Sequence, residues 1–426
     1  MNDTVYALSS GQPPAAIAIV RISGPAAGTA LEALARTRPE PRRAALATLR
    51  EPASSELIDR ALVLWFPGPG SSTGEDLAEL HLHGGRSVVA AVLAALKDIE
   101  GLRSAEPGEF TRRAFENGRI DLAEAEGLAD LLEAETGSQR RAALALAGGA
   151  LSRIVEEWQS RLLGLSAQLE AALDFADEGD VEEELPPGWV AALRNLSKDL
   201  LAALQRPPAE RLREGVKVVI AGPPNAGKSS LLNALVGRDA AIISDIAGTT
   251  RDLVEAPTAI GGTPFLLVDT AGLRESEDAI ESIGVARARR SFEAADLILW
   301  LGAAEDCPDR ERSIIVAPKS DLGKTASGAD VVLSSVRGEG VDGLLRMLIE
   351  RSRALLPQEG EVAINQRHRG ILQECLAHLS EAAEARDPII ASEALRQARA
   401  ALDRITGRAG VEDMLDALFG RFCIGK

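Results

Sequence analysis

Gly222-Pro-Pro-Asn-Ala-Gly-Lys-Ser229 fits the phosphate-loop pattern Gly-x4-Gly-Lys-Ser/Thr, and its flanks decide the fold of the middle of the chain. Val216-Lys-Val-Val-Ile-Ala221 is a short β-branched run that reads as a buried strand, and Ser230-Leu-Leu-Asn-Ala-Leu-Val236 reads as the first turns of a helix. Strand, loop and helix stand in the order that a polyphosphate site needs. Gly222 and Gly227 let successive backbone N–H groups turn inward, and the start of the helix adds its positive dipole end. Lys228 is then placed to reach the β and γ phosphates, and Ser229 to ligate Mg²⁺.

Two further stretches follow in the order expected of a GTPase of the translation-factor class. In Ile243-Ser-Asp-Ile-Ala-Gly-Thr-Thr-Arg-Asp252, Thr250 is placed to sense the γ-phosphate and Mg²⁺. Phe265-Leu-Leu-Val-Asp-Thr-Ala-Gly272 is an apolar strand ending in Asp269, which would hold a water of the metal, with Gly272 free to contact the γ-phosphate. The expected nucleotide contacts are Asn225, Ala226, Gly227, Lys228, Ser229 and Ser230; then Ser244, Asp245, Ile246, Ala247, Gly248, Thr249 and Thr250; then Asp269, Thr270, Ala271 and Gly272. Leu273 stands where Ras-like enzymes carry the glutamine that orients the attacking water, and an aliphatic chain cannot do that. Glu281 is the acidic residue chosen to replace it, although the residues alone read more plainly as a solvated helix face there.

Guanine is normally read by Asn-Lys-x-Asp. Here Pro318-Lys-Ser-Asp321 keeps Lys319 and the aspartate that accepts from the base, and loses the asparagine. Proline supplies neither its amide nor its tie to the phosphate loop, a loss of roughly 1–3 kcal/mol. GTP is still expected over ATP through Asp321, held more weakly, with Ser334, Ser335 and Val336 as the last loop beside the base.

The 426 residues are too many for one compact core and suggest two or three domains. A formal charge of -17 and 3% aromatic residues argue against a surface that coats nucleic acid, so RNA contact has to come from local basic patches. Cys307, Cys375 and Cys423 are odd in number and far apart, which suits a reducing compartment and no disulfide framework. Met1-Asn-Asp-Thr-Val lacks the basic and apolar regions of a signal peptide, and no run approaches the ~18 apolar residues of a membrane helix, so a cytoplasmic location is expected.

Residues 1–118 alternate strand-like runs, Ala16–Ile22, Ala61–Phe66 and Leu77–His83, with loops and a helix over Ser87–Ile99, which is an α/β or α+β pattern. Arg21 interrupts an apolar strand, and Glu79 shares a strand face with His81. Either a bound anion or another side chain has to partner such a buried ion. His81 and His83 lack a third ligand for a metal, and Arg112, Arg113 and Arg119 read as a solvated basic face. Helical spacing runs from Ile120 to about Leu204, breaks at the acidic stretch Asp174–Glu184, and resumes after Glu361. The simplest topology inserts a nucleotide domain into one helical domain made from two distant stretches.

Ile19-Val-Arg-Ile-Ser-Gly24, Thr73-Gly-Glu-Asp76 with His83-Gly-Gly85, Glu106-Pro-Gly-Glu-Phe-Thr-Arg-Arg-Ala-Phe115, Ile246-Ala-Gly-Thr-Thr-Arg-Asp252 and Arg421-Phe-Cys-Ile-Gly-Lys426 together resemble the MnmE (TrmE) family of tRNA modification GTPases over nearly the full length. The resemblance implies an α/β multidomain fold. It would comprise an α+β folate-binding-like and dimerisation domain (1–118), an all-α helical domain in two parts (119–212 and 356–426), and an inserted Ras-like α/β G domain (213–355). It implies a homodimer that holds a 5-formyltetrahydrofolate-type cofactor, with Arg21, Glu79, Arg119 and Lys426 on the family's folate positions. It implies a K⁺ ion in place of an arginine finger, with Asn225, Ser244, Ile246 and Thr249 as matching ligands, and makes Glu281 the water-orienting glutamate. A single fixed positive charge beside the transferring phosphoryl group is what either device supplies. It further implies a partner, the FAD-containing MnmG, and modification of the wobble uridine of certain tRNAs, with Cys423 as a thiol that is either functional or structural. Two other readings remain: a ribosome-assembly GTPase switch, which predicts a basic appendage that this acidic chain lacks, and a folate-dependent transferase with a vestigial G domain.

Overall fold

The computed structural model describes residues 3–176, 187–239, 254–269, 292–323, 328–358, 360–408, 412–422 and 424–425. Packing divides the chain into two compact units, Met1–Ala129 with Asp403–Lys426, and Asp130–Leu402. Among the described residues no helix is long and apolar enough to cross a membrane.

Unit 1 is built on a six-stranded sheet of β1 (Thr4–Leu8), β2 (Ile17–Ser23), β3 (Ala45–Arg50), β4 (Leu57–Phe66), β5 (Leu77–His83) and β6 (Leu102–Ser104), in the order β3-β4-β5-β2-β1-β6. All neighbours are antiparallel except β1 and β6. The period of two sorts each strand into faces. In β2, Ala18, Val20 and Ile22 are sealed against α1 (Ala27–Ala35) and α2 (Arg86–Lys97), in one core with Leu31, Leu34 and Val92. Arg21 lies on the opposite face, half-buried. There α3 (Glu109–Glu116) lays Phe110 on Val5, Ala7 and Ala105. Strands β1, β3 and β6 were not legible as strands in the sequence.

A second cluster in this unit joins Leu122, Ala125 and Ala129 of α4 (Leu122–Glu133) to Leu415, Leu418 and Phe419 of a helix over Glu412–Phe419. Residues 424–425 run beside β1: Ile424 bridges to Pro107, and a Cβ on Gly425 (φ 97°) would lie 2.2 Å from the Leu8 carbonyl oxygen, so only glycine fits. The expected segment 356–426 is therefore shared between the two compact units.

Unit 2 has a helical part and an α/β part. Helices α5 (Gly137–Ala147), α6 (Ala150–Ala176), α7 (Trp189–Gln205) and α8 (Ala209–Arg213) lead to the second sheet. After the sheet, α11 (Gln366–Glu384) returns to pack on α7, and Arg369 donates to the carbonyls of Leu204 and Arg206 at the C-terminal end of that helix. Two stretches distant in sequence thus pair around an inserted α/β segment. Its strands are β7 (Val216–Ala221), β8 (Val254–Ile260), β9 (Thr263–Asp269), β10 (Leu297–Trp300), β11 (Ser313–Ala317) and β12 (Val331–Val332), in the order β12-β11-β10-β7-β9-β8, parallel except for the β8–β9 hairpin. Central β7 is buried on both faces. Val216, Val218 and Ile220 pack with α9 (Lys228–Asp239) and α10 (Val341–Arg353), while Val219 and Ala221 join Val268 and Ile298 on the other side. This near-continuous apolar run is what a doubly covered parallel strand requires, and it points the carboxyl end of β7 at the crevice where such sheets bind ligands.

Candidate active site

The loop after β7 has the backbone that its glycines promise. Gly222 (φ 146°) passes so close to the next strand that a Cβ would lie 2.8 Å from the Leu301 carbonyl oxygen, and Gly227 (φ 99°) sets up the helix that begins at Lys228. Between them Asn225 is left-handed (φ 59°). The Lys228 ammonium donates to the Gly222 and Pro223 carbonyls at 3.2 and 3.1 Å, so the loop's own oxygens hold the cation that is expected to meet phosphate. At the second residue of α9, Ser229 Oγ donates to Asp269 Oδ2 at 2.6 Å. The parallel register of β7 and β9 sets that pairing, ending with Ile220 opposite Asp269, whose carboxylate is buried. A hydroxyl and a carboxylate oxygen this close form a hard-oxygen donor pair that suits Mg²⁺, one ligating directly and one through water.

The base-side loop follows β11. Ser334 Oγ donates to Asp321 Oδ1 at 2.7 Å, and Ser320 N donates to the Leu333 carbonyl at 3.1 Å, so the two loops expected at guanine are fastened to each other. Ser334 is buried, Ser335 is half-buried and Val336 is exposed. Lys319 (φ 63°) extends its ammonium to the Asn225 carbonyl at 2.6 Å. Pro318 has no side-chain donor for such a tie, and its neighbour Lys319 makes one to the phosphate loop.

Ser244, Asp245, Ile246, Ala247, Gly248, Thr249, Thr250, Thr270, Ala271, Gly272, Leu273 and Glu281 lie outside the described residues, as do Cys423 and Lys426. Of the four residues matched to K⁺, Asn225 alone is described.

In unit 1, Arg21 sits directly opposite Glu79 in the β2–β5 register, and its Nε and NH2 groups donate to Glu79 Oε1 at 3.1 and 2.9 Å. His81 Nε2 lies 3.3 Å from Glu79 Oε2, and the Arg21 guanidinium stands 5.7 Å from the Phe110 ring centroid. Each ion's partner is a side chain, and the pair still offers a cation and a carboxylate on one half-open sheet face. Arg119 is exposed, with its side-chain stem beside Gly74. His83 pairs with Asp59 at 2.7 Å, and among the described residues no three His, Cys, Asp or Glu groups are placed to hold a metal.

The expected basic face at Arg112 and Arg113 is not one. Arg113 is 1% exposed and binds Asp3 (2.9 Å), Glu75 (3.0 Å) and Glu109 (2.9 Å), while Arg112 binds Glu116 and Asp416. Arg103 joins Glu109 and Asp3 as well. Burial alone would raise the Glu109 carboxyl, but the Arg103 and Arg113 guanidiniums and the Glu106 N–H hold it below its ordinary value. The sequence signal was available: Glu109 and Arg113 are four apart on one short helix, and buried arginines need carboxylates.

A family model described as the MnmE helical domain matches residues 122–423, and one described as the N-terminus of the GTP-binding protein TrmE matches residues 4–119. The chain is 58% identical over 429 residues to the tRNA modification GTPase MnmE of Rhizorhabdus wittichii, covering 100% of this chain and 97% of that one. Proteins of the same name from Erythrobacter litoralis and Novosphingobium aromaticivorans are each 56% identical, with 100% of both chains covered.

Proposed function

Because the chain belongs to the MnmE family of tRNA modification GTPases, we propose that it hydrolyses GTP to drive modification of the wobble uridine of certain tRNAs in the cytoplasm. It acts as a homodimer with MnmG and a 5-formyltetrahydrofolate-type cofactor, installing aminomethyl or carboxymethylaminomethyl groups. The observation that carries this reading is the Ser229–Asp269 contact at 2.6 Å beneath a glycine-turned phosphate loop.

Lys228 would exchange the carbonyls of Gly222 and Pro223 for β and γ phosphate oxygens, Ser229 would ligate Mg²⁺ with Asp269 holding it through water, and Thr250 would close on the γ-phosphate. Since Leu273 cannot orient a water, Glu281 does so. Asn225, Ser244, Ile246 and Thr249 would hold K⁺, which when bound would supply the positive charge that an arginine finger supplies elsewhere. Asp321, fixed by Ser334, reads guanine.

Arg21, Glu79, Arg119 and Lys426 hold the folate, and Cys423 is a thiol near that end of the chain. The residue ranges 1–118, 119–212, 213–355 and 356–426 act as the folate and dimer domain, helical part, G domain and second helical part. Exposed Ile17, Leu46 and Leu62 lie on the sheet face opposite α1 and α2, with Leu46 and Leu62 in register, and support a second copy seated there.

The test is phosphate release from GTP in matched K⁺ and Na⁺ buffers, with wild type and Glu281→Ala. Turnover is expected to be markedly faster in K⁺ and to fall in the variant while nucleotide binding is kept. Equal rates in both salts remove the cation mechanism, and protein that retains no guanine nucleotide in Mg²⁺ and K⁺ removes the whole reading.

A further inference from the structure

Among the described residues five other than glycine have a left-handed backbone: Arg36 (φ 60°), Arg42 (φ 62°), Ser55 (φ 62°), Asn225 and Lys319. Such a backbone is unfavourable for a residue with a side chain, and it occurs at helix C-caps and tight turns as well as at functional sites. Asn225 and Lys319 belong to the nucleotide site. The other three flank the edge strand β3: Arg36 is the left-handed C-cap of α1, Arg42 lies in the loop before β3 and Ser55 in the turn between β3 and β4. Of this stretch only Leu46 is used above, on the face proposed for a second copy.

The stretch Arg36-Thr-Arg-Pro-Glu-Pro-Arg-Arg-Ala-Ala-Leu-Ala-Thr-Leu-Arg50 holds five arginines and one glutamate in a chain of net charge -17, and the turn that follows it carries Glu51 and Glu56 on either side of Ser55. Arg36, at the end of α1, donates from NH2 to Ser55 Oγ at 2.8 Å, and Arg50, at the end of β3, donates from NH1 to the Ser55 carbonyl at 2.9 Å. Two guanidiniums thus converge on one residue, and among the described residues neither meets a carboxylate. Arg42 also has only neutral partners, the Gly70 carbonyl and the Phe66 ring. Arg38 and Arg43 do pair, with Glu32 and Glu40, but those pairs are exposed and weak.

Strand β3 is an edge strand, and charges on an edge block unwanted pairing. Edge protection, however, does not call for two cations clasping the same serine. Like charges held together in this way are poised for an anion, and the planar guanidinium fork matches phosphate oxygens. Trp65 is not a stacking platform, being 4% exposed with Arg38 4.8 Å over it, and the half-buried Phe66 ring already has Arg42 5.9 Å from its centroid. The fitting partner is therefore a sugar-phosphate backbone, contacted without reading bases.

We propose that the arginine strap Arg36–Arg50, centred on the Arg36–Ser55–Arg50 fork, is the surface on which this protein holds the phosphate backbone of tRNA. The assignment rests on the reading that tRNA is the substrate, and it locates the contact in unit 1.

The test is the affinity of full-length protein for unmodified tRNA, by fluorescence anisotropy, from about 0.05 to 0.2 M salt. Arg36→Gln with Arg50→Gln is expected to weaken binding about tenfold or more and to flatten the slope of log K against log salt by about two. Arg36→Lys with Arg50→Lys keeps the charge and is expected to restore most of the slope, which a merely structural role would not do. Arg194→Gln with Lys198→Gln removes equal charge from the exposed face of α7 and is expected to leave the slope unchanged. A wild-type slope in the first pair, or an equal loss in the α7 pair, overturns the strap while leaving tRNA as substrate. Wild type that binds GTP but no tRNA overturns both.

Discussion

The Lys319 ammonium donates to the main-chain carbonyl of Asn225 at 2.6 Å, joining the loop that faces the base to the loop that faces the phosphates. A charge-assisted bond of this kind contributes roughly 1.5–3 kcal/mol when well made. Lys319→Met is therefore expected to weaken GTP and GDP alike, by about 10- to 150-fold, in titrations with a fluorescent guanine nucleotide. Pro318→Asn adds a second tie on top of the first, so its gain should be smaller, within about tenfold. Unchanged affinity in Lys319→Met would show that the bond yields to water at no cost.

Ser229 and Asp269 give a second prediction. With only 2.6 Å between their oxygens, the hydroxyl is placed to ligate Mg²⁺ directly and the carboxylate through water. Ser229→Ala is expected to bind GDP without Mg²⁺ nearly as wild type does, to lose the tightening that Mg²⁺ brings, and to turn over GTP at least about a hundredfold more slowly. Mg²⁺-dependent tightening that survives in the variant would move the metal elsewhere.

Arg113 anchors unit 1 rather than the surface. It ties the strand-side Asp3, the loop residue Glu75 and its own helix-mate Glu109, and Glu75 in turn accepts from Ser23 Oγ at 2.9 Å. Arg113→Met leaves carboxylates buried without their counter-ion, an arrangement that costs about 3–5 kcal/mol. Thermal unfolding of unit 1 should move down by about 10 °C, and a shift of only a degree or two would mean that Arg103 takes over the carboxylates.

The α/β part of unit 2 was legible because local and tertiary demands coincide there: an apolar strand, two glycines and a helix start read the same way at every level. Asp269 ends β9 and Lys228 begins α9, as the strand and helix patterns read. Arg113 was misread because charge runs look alike whether they face water or three carboxylates brought in from residues 3, 75 and 109. Strand β6, only three residues long and paired in parallel with β1, has no periodicity to show. The substitute tie at Lys319 was hidden for another reason. It depends on a left-handed backbone, which proline before it does not announce.

The buried arginines also fix how unit 1 should respond to acid. In the folded chain burial by itself would raise the carboxyls of Asp3 and Glu109, but bonds from Arg103 and Arg113 outweigh it and hold both below their ordinary values. As pH falls, the unfolded chain takes up these protons first, at about 4, so the stabilisation is intact above that point and drains away as pH drops through the lower folded values. The midpoint of thermal unfolding should be nearly level between about pH 7 and 5 and then fall steeply below about pH 4.5. Glu109→Gln removes one of the two proton sites: its midpoint should start lower at neutral pH, because Arg113 and Arg103 lose a charged partner, yet fall less steeply in acid. Parallel acid limbs for wild type and Glu109→Gln would show that the protons responsible bind elsewhere and that this carboxylate is already protonated, or already exposed to water, in the folded chain.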